Sequence, residues 1–486
     1  MNMAKEKRYL LPLLLVVMTL GGCYGTQSSS GGGQTDFSAP RRVDARDVAV
    51  PRGFQVDVVA TGLTFPTGVA FDQDGTAHVI EAGYSYGEMF TTARLLRVNS
   101  DGTTTEVARG AKNGPWTGAA YSGGHFIVAE GGQLEGGRIL RIAPDGRTEA
   151  LVEGLPSFGD HHTNGPVIAD DGQIYFSVGT ATNSGVVGKD NFDFGWLRRF
   201  PRFHDVPCQD VELAGHSFES TSVLPEQSGM VRTGAFVPYG VETRVGQVVK
   251  GQVPCSGAVF RVGPGGGMPQ VVAWGFRNPF GLAFAPDGQL YLTENGYDDR
   301  GSRPVWGTGD VLWRVNAGGW YGWPDYTAGE LVSDKHYRPP GKEAPKKLLA
   351  KDPGKPPRPV AVLGVHASAN GFDFSRSEHF GYLGQAFIAE FGDQAPTTGK
   401  VLHPVGFRVI RVDVTNGHIE QFVVNKGTAN GPASKLGSAG LERPVAARFD
   451  PAGRGLYIVD FGVLLEGPDG AKPQPGTGVL WRVTKQ

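Results

Sequence analysis

The sequence predicts an all-β fold: a six-bladed β-propeller of four-stranded antiparallel blades, closed by an N-terminal strand. Three observations carry this prediction. One hairpin pattern recurs six times, each copy is followed by a third strand with a common arginine, and the fourth strand missing at the C-terminus stands at the front of the chain.

The hairpins read PTGVAFDQDGTAHVIEAG (66–83), WTGAAYSGGHFIVAEGG (116–132), TNGPVIADDGQIYFSVGT (163–180), PFGLAFAPDGQLYLTENG (279–296), ANGFDFSRSEHFGYLGQAFIAEFG (369–392) and PVAARFDPAGRGLYIVDFG (444–462). Each joins two short apolar runs through a turn, usually Asp-Gly, whose residues suit the backbone angles of a tight hairpin. Recurrence of one such unit is the signature of a repeat architecture.

The third strands are ARLLRV (93–98), GRILRI (137–142), GAVFRV (257–262), GDVLWRV (309–315), FRVIRV (407–412) and GVLWRV (478–483). The arginine near each end reads as structural, its stem packed at the ring edge and its head in water. Fourth strands follow as TEVARG (105–110), TEALVEGL (148–155), MPQVVAWGF (268–276), PVAVLG (359–364) and HIEQFVV (418–424). The last unit stops at Gln486 without one, and FQVDVVATGL (54–63) precedes the first unit. Pairing the two ends closes the ring and protects the sheet edges. With 74 glycines and 34 prolines among 486 residues, yet 40% hydrophobic residues, the composition suits a turn-rich β protein. A net charge of -2 offers no basic field for nucleic acid.

The N-terminus reads as a lipoprotein signal peptide over residues 1–23. Lys5, Lys7 and Arg8 precede an apolar run too short for a comfortable membrane span, which closes on Leu20-Gly21-Gly22-Cys23. Cys23 is the expected acylation site, residues 24–49 a flexible tether rich in Ser and Gly, and 50–486 the propeller. The expected location is the periplasm or cell surface, with a lipid anchor, in the outer membrane, as the membrane contact. Export makes a disulfide the default for Cys208 and Cys255, which lie in a long insertion (181–256) in blade three.

Propeller geometry then places function. Loops from second to third strands and from fourth to first strands crowd one mouth of the channel, and long loops on a rigid scaffold are where sites are built. Second strands end in Glu81, Glu130, Glu294, Glu390 and Asp460, a near-complete ring of carboxylates that would need cations or arginines to answer it. Loops leading into first strands supply His161 and His162, Arg277 and Asn278, His366, and Arg443.

At these residues the chain, from about 50 to its end, resembles the soluble pyrroloquinoline quinone (PQQ)-dependent glucose/sorbosone dehydrogenases. The motifs are DHHTNG with DDGQIYFSVG, WGFRNPFGLAFAPDGQLYLTENG, and GWYGWP at 319–324. The resemblance implies PQQ and Ca²⁺ as cofactors, oxidation of a sugar or related alcohol or aldehyde by hydride transfer, and His162 as general base. It implies Arg277 as a catalytic group stabilising charge on the quinone oxygen, with Arg277, Asn278 and Arg443 holding the cofactor. Metal ligation is implied at the backbone carbonyls of Gly296 and Tyr297. The chain departs from the family in having Phe276 where histidine is usual, Tyr297 where proline is usual, Leu441 in place of a second arginine, and no lysine at the blade-five strand end, where Lys400 is the nearest substitute.

Two other function classes share this architecture. One is a Ca²⁺-dependent lactonase-type hydrolase using Glu81, Asn278 and Glu390. The other is a non-enzymatic propeller that binds sugars or proteins. The expected partner is a small sugar-like substrate, with the electron acceptor unassigned. Insertion 181–256, with Trp196, Arg198, Arg199, Phe203 and His204, reads as a disulfide-stapled buttress or as a lid.

Overall fold

The computed structural model describes residues 30–33, 37–85, 89–224, 228–467 and 470–486, so the expected signal peptide and Cys23 lie outside the described residues. The six hairpins head six antiparallel sheets, each running from an inner first strand to an outer fourth. Blade one is Pro66–Phe71, Ala77–Glu81, Arg94–Val98 and Thr104–Arg109. Innermost strands of consecutive blades touch all the way round, including the first against the last. Blade six takes Phe54–Leu63 as its outer strand, paired from Phe54 opposite Lys485 to Leu63 opposite Gly478. The ring therefore closes by hydrogen bonds between the two ends of the folded chain.

The repeated hairpin encodes this closure at its glycine. The innermost strands run so close together that a Cβ on Gly118 would lie 2.2 Å from Gly165 O, and one on Gly281 would lie 2.3 Å from Asn370 O. The hydroxyl chemistry around those glycines latches blade to blade. Thr67 donates to Trp116 O (2.6 Å), Thr117 to Thr163 O (2.8 Å), Ser177 to Pro279 O (2.6 Å) and Thr293 to Asn370 O (2.7 Å). Buried inner carbonyls that would otherwise be costly are thereby satisfied.

The third-strand arginines lie at the surface and reach outward. Arg141 pairs with Glu149, Arg411 with Glu420 and Arg482 with Asp57, each partner on the fourth strand. Most of the residues read as tether do not hang free. Asp44 caps a 3-10 turn at Ala45–Asp47, Val48–Ala49 adds a fifth strand to blade five, and Arg41 is drawn into a buried ion pair with Asp460. Composition alone marked this stretch as flexible, whereas specific donors and acceptors on blades five and six order it.

Cys208 and Cys255 are disulfide-bonded across the base of the blade-three insertion. The insertion carries two short helices, Lys189–Asp193 and Trp196–Arg199, and a hairpin of Ser217–Thr221 with Met230–Gly234. A second excursion, 315–360, lies between the third and fourth strands of blade four and climbs along blade three. Tyr321 N–H donates to Trp274 O (2.8 Å) and Trp323 N–H to Gly275 O (2.7 Å), so the GWYGWP run braces the loop that carries Arg277. The close approach at the ring centre gives a direct prediction. Gly118→Ala should lower stability by about 1–3 kcal/mol through overpacking against backbone that cannot swing away, read as a fall in the urea midpoint; an unchanged midpoint would contradict the packing account.

Candidate active site

The carboxylates ending the second strands do not form an open ring. Each is a clip that ties its own blade together. Glu81 accepts from Thr64 N–H (2.7 Å) and from Arg94 Nε (2.7 Å). Glu130 accepts from Asn113 and from the Trp116 indole, and Glu390 from Arg408 Nε (2.6 Å). Glu294 accepts from Arg277 N–H and the Trp313 indole, and Asp460 from Arg443 N–H and the Trp481 indole. The expected mouthful of mutually repelling charge is thus answered locally, by third-strand arginines, by tryptophans of first or third strands and by N–H groups of the loop leading into the first, with Arg41 joining at Asp460. The cage of Glu81, Asn278 and Glu390 is not assembled either: Glu81 is held by Thr64 and Arg94, Glu390 is held by Arg408 through one oxygen while its Oε1 has no partner, and Asn278 donates to Asn295 Oδ1 (2.7 Å).

His162 lies on the loop leading into blade three. Its carbonyl accepts from Gly179 N–H (3.0 Å), and the next residue, Thr180, donates its N–H to Arg277 O (2.9 Å). One strand end therefore holds the main chains of both predicted catalytic residues. The His162 imidazole lies between Tyr84 and Trp196, with ring centroids 6.2 and 6.3 Å away, and its Nδ1 is buried with no hydrogen-bond partner. Burial pushes its pKa down to about 4, so the ring is neutral at pH 7 with a lone pair to offer. Its neighbour His161 is a different case. It is fully enclosed, with Nδ1 bonded to Thr180 O (2.8 Å), and is structural. Tyr84 escaped the sequence reading, and Trp196 was noted there only as part of an aromatic insertion, without a place in the site. That contact makes the insertion part of the site wall as well as a stapled element.

Arg277 is 3% exposed and every arm of its guanidinium has a protein partner. Nε donates to Asn183 O and Oδ1 (both 3.1 Å), Nη1 to Gly296 O (2.6 Å) and Nη2 to Asp298 Oδ2 (2.7 Å). Asp298 also pairs with Arg300, which spans to Asp160 and Asp190 (2.7 Å each). Burial alone would raise the Asp298 carboxyl, but Arg277 and Arg300 outweigh it and hold it below its ordinary value. This network joins blade three, the insertion and blade four. Its acidic members come from the DDR run at 298–300, the DHH loop and, with Asp190, the insertion, all of which carried charge in the sequence without an assigned role. Phe276, beside Arg277, stacks on Tyr321 at 4.2 Å, an apolar support where the resembled family has a histidine.

Arg443 is buried on blade six. It donates Nη1 to Gly392 O (3.2 Å) and Asp393 O (3.0 Å), and its guanidinium lies over the rings of Phe391 and Phe407 at 4.9 and 5.1 Å. It is held in place by blade five rather than gathered with Arg277.

The residues fit the two implied cofactors unequally. For an organic oxidant and its substrate the mouth offers the unpaired Nδ1 of His162 and the buried, unpartnered carboxamide oxygens of Asn164 and Asn370, on the inner strands of blades three and five. The carbonyls implied for Ca²⁺ do not fit it as they stand. Gly296 O already faces the Arg277 guanidinium, and Tyr297 O accepts from Thr308 Oγ1 (3.1 Å). A second positive charge at Gly296 O would meet the guanidinium's own.

Residues 242–395 match the family model described as "Glucose / Sorbosone dehydrogenase". That span includes the RNP loop with Arg277 and Asn278, the carbonyls at 296–297 and the GWYGWP run. Quinoprotein glucose dehydrogenase B of Acinetobacter calcoaceticus is 26% identical over 179 residues, 36% of this chain and 28% of that relative's length. The fold matches solved structures across nearly the whole chain. The PQQ-bound aldose sugar dehydrogenase of Streptomyces coelicolor covers 90% of this chain and 99% of its own, with TM-score 0.51 and 17% identity. The holo pyranose dehydrogenase PQQ domain of Coprinopsis cinerea gives TM-score 0.54 at 16% identity over 94% of this chain and all of its own. The apo soluble aldose sugar dehydrogenase of Escherichia coli gives 0.53 at 14% identity, covering 89% of this chain and 100% of its own.

The charge network supports a stability prediction. Asp298→Asn leaves Arg277 and Arg300 short of a buried partner and should cost about 3–5 kcal/mol, seen as a lowered Tm. Because Asp298 titrates below 3.8 when folded, its contribution is present above that pH and is lost as the pH falls through the lowered value. A variant with wild-type Tm at pH 7 would contradict the network's role.

Proposed function

We propose that the chain is a PQQ-dependent dehydrogenase that oxidises a sugar or a related alcohol or aldehyde, exported and held to a membrane through Cys23. The observation that carries this reading is His162: a neutral imidazole, its buried Nδ1 without a hydrogen-bond partner, at the candidate mouth of a propeller whose fold resembles that of a PQQ-bound sugar dehydrogenase. PQQ would supply the two-electron acceptor that takes hydride from the substrate carbon. His162 would take the proton of the hydroxyl on that carbon, so hydride and proton leave together and a carbonyl remains. Trp196 and Tyr84, flanking the imidazole, limit water around it and keep its lone pair unsolvated. Arg277 would present positive charge near the oxidant while Asn183 and Asp298 fix its fork. No step is assigned to Ca²⁺ here, since Gly296 O would first have to be released by Arg277.

The test is turnover of an aldose panel by PQQ-reconstituted protein with an artificial electron acceptor. Wild type should turn over at least one aldose, and His162→Ala should lose about 10²- to 10⁴-fold in kcat while binding PQQ as before. Loss of PQQ binding in that variant would contradict the base assignment. The acid limb of kcat/KM should fall near pH 4, where His162 protonates, instead of near 6.5; a limb at the ordinary histidine value would move the proton acceptor elsewhere.

A further inference from the structure

We infer that the functional mouth faces the lipid surface, with the blade-three insertion as the element that touches it. The inference rests on acylation of Cys23, proposed above. Residues 30–33 are seated on that same mouth, at blades five and six. Ser30 N–H donates to Val401 O (3.0 Å), Gly32 N–H to Asp393 Oδ1 (3.1 Å), and Gly33 O accepts from Glu466 N–H (2.7 Å), while Lys435 reaches Gly31 O. Asp393, Val401 and Glu466 lie in second-to-third strand loops and Lys435 in a fourth-to-first loop, the two loop classes of the site mouth.

Only seven residues' worth of chain separates Ser30 from Cys23. Fully extended, that is about 25 Å. Reaching the membrane with the opposite mouth would mean clearing the rim and then descending a blade, about 20 Å for a six-residue strand alone. The descent alone would use most of the fully extended link before the rim is cleared, so the link favours the mouth over the opposite face.

Surface chemistry agrees independently. Among the described residues, seven of the fourteen exposed large hydrophobics lie on the insertion, including Leu224, Met230, Val241, Val245 and Val248. Val245 is 83% exposed and Met230 56%. They sit on the hairpin and the loop after it: Leu224 is beside Gly240, the neighbour of Val241, and Val245 packs its backbone against Gly215. Exposed apolar residues gathered on one insertion mark an interaction surface, and a lipid surface is the partner that the seven-residue link brings to this mouth.

The test uses the full-length, exported protein in protein-free phospholipid vesicles. Mass spectrometry of the N-terminal peptide first reports acylation of Cys23; an unmodified cysteine overturns the inference at its premise, leaving the dehydrogenase reading to the turnover assay. Nitroxide labels at Val245→Cys and, on the opposite mouth, Asp287→Cys then report contact with lipid-soluble oxygen against a water-soluble nickel complex. The expected result is oxygen-favoured relaxation at 245 and nickel-favoured relaxation at 287. Equal exposure of both labels to nickel, or the reverse pattern, overturns it. So does protection of position 245 in whole cells but not in vesicles, which would assign the patch to a protein.

Discussion

The close approach of six inner strands around one axis is the constraint on which the rest depends. A side chain at Gly118 or Gly281 would strike the backbone of the next blade, so the repeat keeps glycine there and lets the neighbouring hydroxyls latch blade to blade. That packing fixes where every second strand ends and every first strand begins. The site inherits its precision from it: Gly179 and Thr180, at one strand end, hold the backbones of His162 and Arg277 at once.

Polar groups near the mouth then divide into two kinds. Carboxylates at strand ends and the network of Arg277, Asp298 and Arg300 satisfy one another, and burial makes each pairing costly to break. Other buried polar atoms have no internal partner, among them Nδ1 of His162, the carboxamide oxygens of Asn164 and Asn370, and Oε1 of Glu390. Buried polar atoms left unsatisfied near the mouth are groups a ligand can use. The proposed chemistry therefore draws on what the scaffold leaves unpaired, while Arg277, paired on every arm, is a keystone of the network.

The blades, their order and the closing strand were legible in the sequence because each depends on local pattern: alternation, Asp-Gly turns and, in five of the six hairpins, a glycine at the same place. The disulfide was legible from the cysteine count and the expectation of export. The roles of the strand-end acids were not. Glu294 and Asp460 look alike facing a channel or bonded to Trp313 and Trp481, and only tertiary placement distinguishes these. Likewise Trp196 lies thirty-odd positions past His162, and no spacing rule brings an insertion helix back over a blade. The order of residues 37–49 was hidden for the same reason, since Arg41 finds Asp460 more than four hundred residues away.

The central claim is that this mouth binds PQQ, and titrating the purified apo-protein with PQQ while following quinone absorbance tests it most directly. The account predicts saturable one-to-one binding that survives a calcium chelator, because Arg277 occupies Gly296 O, and that weakens in Arg277→Ala. Failure of PQQ to bind at all, with or without Ca²⁺, would contradict it.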